Sequence, residues 1–124
     1  MAVVGIGTDL VDVERFRQVV ERTPGVLDRL FRPAERDSLA VRRDPVPGLA
    51  VRFAAKEAVV KVLGTGLGAV PATDVEVCGG GDEPPWLELH DRAAARAAEL
   101  GVTRWHLSLS HTDSTAQAVA LAES

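Results

Sequence analysis

The segment RFAAKEAVVKVLGTG, residues 52–66, sets Arg52, Lys56, Glu57 and Lys61 among Phe, Ala, Val and Leu. Its composition predicts a helix over about 48–63, stopped by Gly64. A helix that is apolar all round is a buried helix. Ionised groups in such a helix are costly unless paired, hydrogen-bonded or bound to a metal. The stretch is therefore either a structural ion-pair network or a site. At 100° per residue from Phe53, Glu57 falls near about +40° and Lys61 near about +80°, so they are neighbours at i, i+4. Lys56, near about −60°, lies inside the apolar stripe of Leu49, Val60 and Leu63, and Arg52 lies near about −100°. The structural alternative is a Glu57–Lys61 surface pair worth a few tenths of a kcal/mol, roughly 0.2–0.5, with Lys56 and Arg52 snorkelling past the core.

The glycine-rich run that follows, Gly64 to Gly68, lets backbone approach a ligand closely, as phosphate loops do. It sits at a helix C-terminus, where the helix dipole does not favour an anion. A phosphate there depends on Lys61, Lys56 or Arg52. Asp9 follows a glycine-containing strand and reads as a helix N-cap or as a ligand. Asp9 and Glu57 together have the chemistry to hold Mg²⁺, which takes a few carboxylates and keeps positions for water and phosphates. His111 ends a strand beside Thr112 and Asp113. The commoner role for such a histidine is structural, but near a diphosphate it donates a hydrogen bond or moves a proton. Glu35 reads as a surface helix residue.

The elements that must position these groups follow from the rest of the chain. Its 124 residues suit one domain. One cysteine, Cys78, excludes a disulfide within the chain. The N-terminus has no basic region before its apolar run, so it does not read as a signal peptide. No apolar run reaches membrane-spanning length, and a cytoplasmic protein is expected. A net charge of −4 argues against general nucleic-acid binding. Residues 15–43 nevertheless carry eight Arg against four acidic residues. That is a solvated helical surface, or a docking face for an acidic partner.

Residues 3–10 predict a strand. Helices are predicted over 11–22, from Pro24, and from Pro33, with a loop over 42–48. Residues 73–77 and 86–89 predict a hairpin around CGGGDEPP, residues 90–101 a helix, and residues 104–111 and 114–123 two more strands. That order implies an α+β fold with a mainly antiparallel sheet and a long central helix, in a single domain over 1–124.

GIGTDLVDVERF, RFAAKEAVVKVLGTG and HLSLSHT, in that order, resemble the holo-[acyl-carrier-protein] synthases, the small bacterial 4′-phosphopantetheinyl transferases, across essentially the whole chain. The resemblance implies that coenzyme A donates phosphopantetheine to a serine of an apo-acyl carrier protein, releasing adenosine 3′,5′-bisphosphate. It implies Asp9 and Glu57 as the Mg²⁺ carboxylates, and Lys61 as a phosphate-contacting lysine. It places Gly64, Thr65 and Gly66 in the loop lining the coenzyme A site, and Arg52 and His111 in contact with coenzyme A, with Lys56 and Thr112 beside them. Arg15 matches the docking arginine for the acidic carrier protein, and Arg22 and Arg29 join it on composition. A homotrimer with coenzyme A between subunits is expected. The catalytic set is then Asp9, Glu57, Lys61 and His111. The general base is Glu57 or a water held by it, ahead of a metal-bound water or Glu35. Two other readings stand beside this one: a non-catalytic module docking an acidic protein through its arginines, and a different Mg²⁺-dependent phosphoryl enzyme. The latter lacks any Walker-type or GxGxxG signature in the chain.

Overall fold

A computed structural model describes residues 1–66 and 68–124. The expected Gly64–Gly68 loop therefore contains one position, Leu67, that lies outside the described residues. The order is β1 (Val3–Asp12), α1 (Val13–Arg22), α2 (Val26–Leu30), α3 (Pro33–Leu39), α4 (Val46–Leu63), a 3-10 turn (Ala72–Asp74), β2 (Val75–Gly80), β3 (Glu83–Leu89), α5 (Asp91–Glu99), β4 (Arg104–His111) and β5 (Thr115–Glu123). All strand pairings among the described residues are antiparallel. One sheet runs β1-β5-β4 and the second is the β2-β3 hairpin. The α+β architecture with a central helix is as the sequence implies.

α4 is buried on nearly every side. Ala50, Ala54, Ala55, Ala58, Val59 and Leu63 are each 0 % exposed. Its alanines let β1 and β5 come close, and β5 answers with Ala116, Ala118, Ala120 and Ala122, all inward and fully buried. One core layer joins α4 to β2, α5 and β5. A second joins its N-terminal half to α1, Phe31 and Leu39. Each fully buried Val or Leu side chain contributes about 1.5–3 kcal/mol.

The closest approach is made by Gly7. A Cβ there would lie 2.1 Å from the carbonyl oxygen of Ala58, a distance no side chain tolerates. The glycines of GIGTD thus let β1 press onto α4, and that contact carries Asp9 to the helix.

Several boundaries differ from expectation. β1 runs on to Asp12, so Asp9 is mid-strand and Asp12 is the N-cap, accepting the Arg15 N–H at 2.8 Å. Pro24 and Gly25 stay in the turn before α2, because Gly25 takes φ 77. α4 starts at Val46 inside the expected loop, since a proline in the first helical turn costs no hydrogen bond. β2 and β3 extend into the glycine-rich turn, with a register shift between Cys78 and Gly80.

Candidate functional site

The four charges of α4 have three different fates. Lys56 is 0 % exposed. Its ammonium donates to Glu35 Oε1 at 2.9 Å, to the Ala72 carbonyl at 3.0 Å and to the Val75 carbonyl. It also lies 5.3 Å from the centre of the Phe31 ring. All three of its protons are spent, so Lys56 has none left for coenzyme A, and its expected place in that site is corrected. Burial pushes its pKa down, and Glu35 pulls it back.

Glu35 is likewise not a surface residue: it is 2 % exposed. Its carboxylate accepts from Lys56, from Arg32 N at 2.9 Å and from Val77 N at 3.1 Å. Committed to that network and buried, it has no access to a substrate hydroxyl, and its expected place as an alternative base is also corrected. Glu35 and Lys56 instead bind α3, α4 and β2 together.

Glu57 and Lys61 face the other way, toward β1. Lys61 Nζ donates to Asp9 Oδ1 at 3.0 Å and to the Thr8 carbonyl at 2.8 Å, with its side chain 53 % exposed. Asp9 and Glu57 line one open cavity of about 390 Å³, with Asp12, Arg15, Phe16 and Phe53 around them. Burial raises the Glu57 pKa, the Asp9 charge raises it further, and Lys61 opposes both. Two carboxylates of like charge are thus held together in a half-dry pocket against their mutual repulsion. A larger hollow of about 500 Å³ lies between α2, α3 and the start of α4. It is lined mainly by apolar side chains, and its Arg36 already pairs with Asp28, so the smaller cavity is the one that gathers the two carboxylates.

Arg52 stands on a third face. It is 5 % exposed, donates Nη2 to the Gly79 carbonyl at 3.0 Å, and leaves Nε buried with no partner among the described residues. Burial lowers its pKa, and neighbouring Arg42 lowers it further. With Arg42 and His111 it lines a separate cavity of about 210 Å³, closed by Gly80, Gly81 and Glu83 at the hairpin tip. This is a cationic pocket with an unsatisfied donor, suited to an anion. His111 is exposed, at the end of β4. The Thr112 hydroxyl accepts from Ser114 N and Thr115 N and so builds the β4–β5 turn.

Gly64 ends α4 in the left-handed region, φ 72. Thr65 next to it keeps a buried hydroxyl with no partner among the described residues. Arg15, Arg22 and Arg29 are exposed and, among the described residues, form no ion pair. Arg17 pairs instead with Asp44 at 2.6 Å.

The fold thus joins Asp9, Glu57, Lys61 and Arg15 in one place and Arg52 with His111 in another. Sequence reasoning missed Arg42, which sits in a loop, and the aromatic wall of Phe16 and Phe53, whose rings lie 5.6 Å apart. The helical spacing of Phe16 in α1 was a signal for a core residue only. It also missed a group on the hairpin, Glu76, Glu88 and His90, whose ligand atoms lie within 4.8 Å of one another. Pairing the strands symmetrically about the glycine turn would have put the two glutamates opposite each other.

Residues 5–122 match the model of the 4′-phosphopantetheinyl transferase superfamily. The chain is 48 % identical over 125 residues to the holo-[acyl-carrier-protein] synthase of Streptomyces avermitilis, covering 99 % of each. Its fold is similar to the crystal structure of holo-[acyl-carrier-protein] synthase from Neisseria meningitidis, with TM-score 0.85 and 32 % identity over 99 % of this chain and all of that one. It is similar also to the "ACPS-CoA complex" of Chronobacterium ammoniagenes, with TM-score 0.85 and 27 % identity over 98 % of this chain and 97 % of that one. With a continuous match along the chain and the paired carboxylates on β1 and α4 where its motifs lie, this chain belongs to the 4′-phosphopantetheinyl transferase superfamily and, within it, to the holo-[acyl-carrier-protein] synthases.

Proposed function

We propose that the chain, acting as one domain over residues 1–124, transfers 4′-phosphopantetheine from coenzyme A to a serine hydroxyl of an apo-acyl carrier protein, releasing adenosine 3′,5′-bisphosphate. The observation that carries this reading is the meeting of Asp9 and Glu57 in one cavity beside Lys61, in a chain whose relatives are named for the reaction.

The pair fits Mg²⁺. Its oxygen donors, its like charges held together and its open cavity match an ion that takes one or two carboxylates and keeps the rest of its shell for water and phosphate. When bound, the ion offsets charge that builds on the phosphate oxygens as the P–O bond breaks. Lys61 spends two protons on Asp9 and Thr8 and keeps a third for a phosphate oxygen. Glu57, its proton affinity raised by burial and by Asp9, takes the serine proton directly or through one water. Phe16 and Phe53 keep that side of the cavity apolar, which strengthens each charge interaction within it.

Arg52, Arg42 and His111 hold the anionic end of coenzyme A, with the Gly64–Thr65–Gly66 backbone and the Thr112 turn lining its path. Glu57 and Arg52 are five residues apart on α4, about 140° around the helix, and line separate cavities. One coenzyme A reaches both sets if a second copy supplies Arg52 and His111. A homotrimer with sites between subunits meets that need. It also covers the outer sheet face, where Ile6 and Leu10 are 66 % and 65 % exposed and Ile6 is paired in register with Leu121. Arg15 at the cavity rim, with Arg22 and Arg29, docks the acidic carrier. Action in the cytoplasm belongs to the same reading; separately, no helix among the described residues is long and apolar enough to cross a membrane.

The test is an intact-mass assay with apo-acyl carrier protein, coenzyme A and Mg²⁺. The carrier should gain one phosphopantetheine, and the gain should vanish with EDTA and with Asp9→Ala. A carrier that binds but gains no mass would recast the protein as a docking module.

A further inference from the structure

On the outer face of the β2–β3 hairpin, Glu76 and Glu88 are direct cross-strand partners. Like charges in that position repel, and among the described residues neither carboxylate forms an ion pair with a lysine or arginine. His90 lies against them, its Nε2 2.8 Å from Glu76 Oε1. One ligand atom from each of the three falls within 4.8 Å of the others. Among the described residues the His90 ring contacts only one of the two carboxylates, that of Glu76. A divalent cation would serve both.

From this donor set we propose a second metal site, distinct from the Asp9–Glu57 pair: Glu76, Glu88 and His90 bind a borderline divalent ion of the zinc class, with water in the remaining position. Imidazole together with carboxylate suits such an ion, whereas an all-oxygen pair suits Mg²⁺. Metal–ligand distances of about 2.0–2.2 Å bring ligand atoms to roughly 3.3 Å from one another, so only a modest contraction is needed. The exposed Glu88 side chain is free to make it.

Two of the three ligands are already held in place. His90 is the residue before α5. Its N–H donates to the Asp74 carbonyl at 2.8 Å, and the Asp74 carboxylate accepts from Arg92 N and Ala93 N at 2.9 and 3.3 Å. Glu76 sits in the paired part of β2. An ion here would tie both strands of the hairpin to the start of α5. It would thereby stiffen the base of the hairpin whose tip, Gly80 to Glu83, closes the Arg52–His111 cavity.

The experiment is a Co²⁺ titration of the metal-free full-length protein, followed by visible absorption, with Zn²⁺ competition and thermal unfolding. Wild type, Asp9→Ala and Cys78→Ser proteins should bind one Co²⁺ per chain at this site. Glu76→Gln and His90→Ala should weaken it by roughly tenfold or more, at least the effect of losing an outer-shell partner. Zn²⁺ should raise Tm in wild type but not in His90→Ala, because a ligand that binds only the native state stabilises it. His90→Asn keeps a polar group at the helix start and guards against a folding defect. Equal affinity in wild type and the His90 variants would overturn the site. So would a signal lost only in Asp9→Ala, which places the ion in the other cavity, or only in Cys78→Ser, which makes it a thiol adduct.

Discussion

The ammonium of Lys56 and the carboxylate of Glu35 meet at 2.9 Å with side-chain exposures of 0 % and 1 %. This pair is a fastening, not a catalyst: it joins α3 to α4, and through backbone partners it joins both to β2. Removing one member strands a buried charge, which costs about 3–5 kcal/mol. Lys56→Met and Glu35→Gln should each lower the unfolding free energy measured by urea denaturation by that order. Replacing both with apolar residues should recover most of the loss, because the penalty comes from an unpaired partner. A double mutant as unstable as the two single losses added together would refute the coupling.

Gly7 gives a second test. A Cβ there meets the Ala58 carbonyl at 2.1 Å, so Gly7→Ala must push β1 off α4 and carry Asp9 with it. Overpacking of this kind costs about 1–3 kcal/mol. Turnover should fall further than stability does, measured well below Tm by the mass of the modified carrier. A stable and fully active Gly7→Ala protein would mean that the β1–α4 contact does not position Asp9.

Glu57 carries a pH signature. Its folded pKa lies above its ordinary 4.5, first through burial and then through Asp9. In the window between the two values the native state holds the proton more tightly than the unfolded chain does. This group's contribution to stability therefore falls as pH rises through that window, and it stays unfavourable at neutral pH. Metal-free Glu57→Gln should unfold at a higher temperature than wild type at pH 7, and the gap should close below pH of about 4. Its turnover should drop at least roughly a hundredfold, the usual scale for a lost acid–base group. A wild type that is the more stable of the two at pH 7 without metal would contradict the repulsion.

Arg15 is exposed at the rim of the carboxylate cavity and unpaired among the described residues. Arg15→Ala should raise KM for the carrier protein by about fivefold, equivalent to about 1 kcal/mol for an exposed pair, and leave KM for coenzyme A nearly unchanged. The difference should shrink at high salt, where exposed charges are screened. Equal effects on both substrates would argue against docking.

The proposed trimer has its own test. Sedimentation should give about three times 13.2 kDa, and Ile6→Asp should release subunits that stay folded but lose activity. Active monomers would remove the need for a second copy's Arg52 and His111.

Much of this molecule was legible in its residues. Strand alternation in β4, the glycine stop of α4 and the order of elements follow from local periodicity and backbone preference, which act within a few residues. That Glu57 and Lys61 share one face of α4 is likewise a matter of helical spacing, but the expected pair between them does not form, because Lys61 reaches across to Asp9 and the Thr8 carbonyl on β1. The motifs pointed to Asp9 and Glu57 as partners, but only the packing of β1 on α4 at Gly7 puts them in one cavity. Lys56 and Glu57 show the limit most clearly. They are adjacent in a helix, both charged, and indistinguishable by composition. One is sealed in the core against Glu35 and the other opens on the site, because the chains that cover each face of α4 come from far along the sequence. The same holds for Glu76, Glu88 and His90, which are brought together by strand register and the start of α5. Burial and convergence are properties of what packs against a residue, so tertiary structure alone decided them.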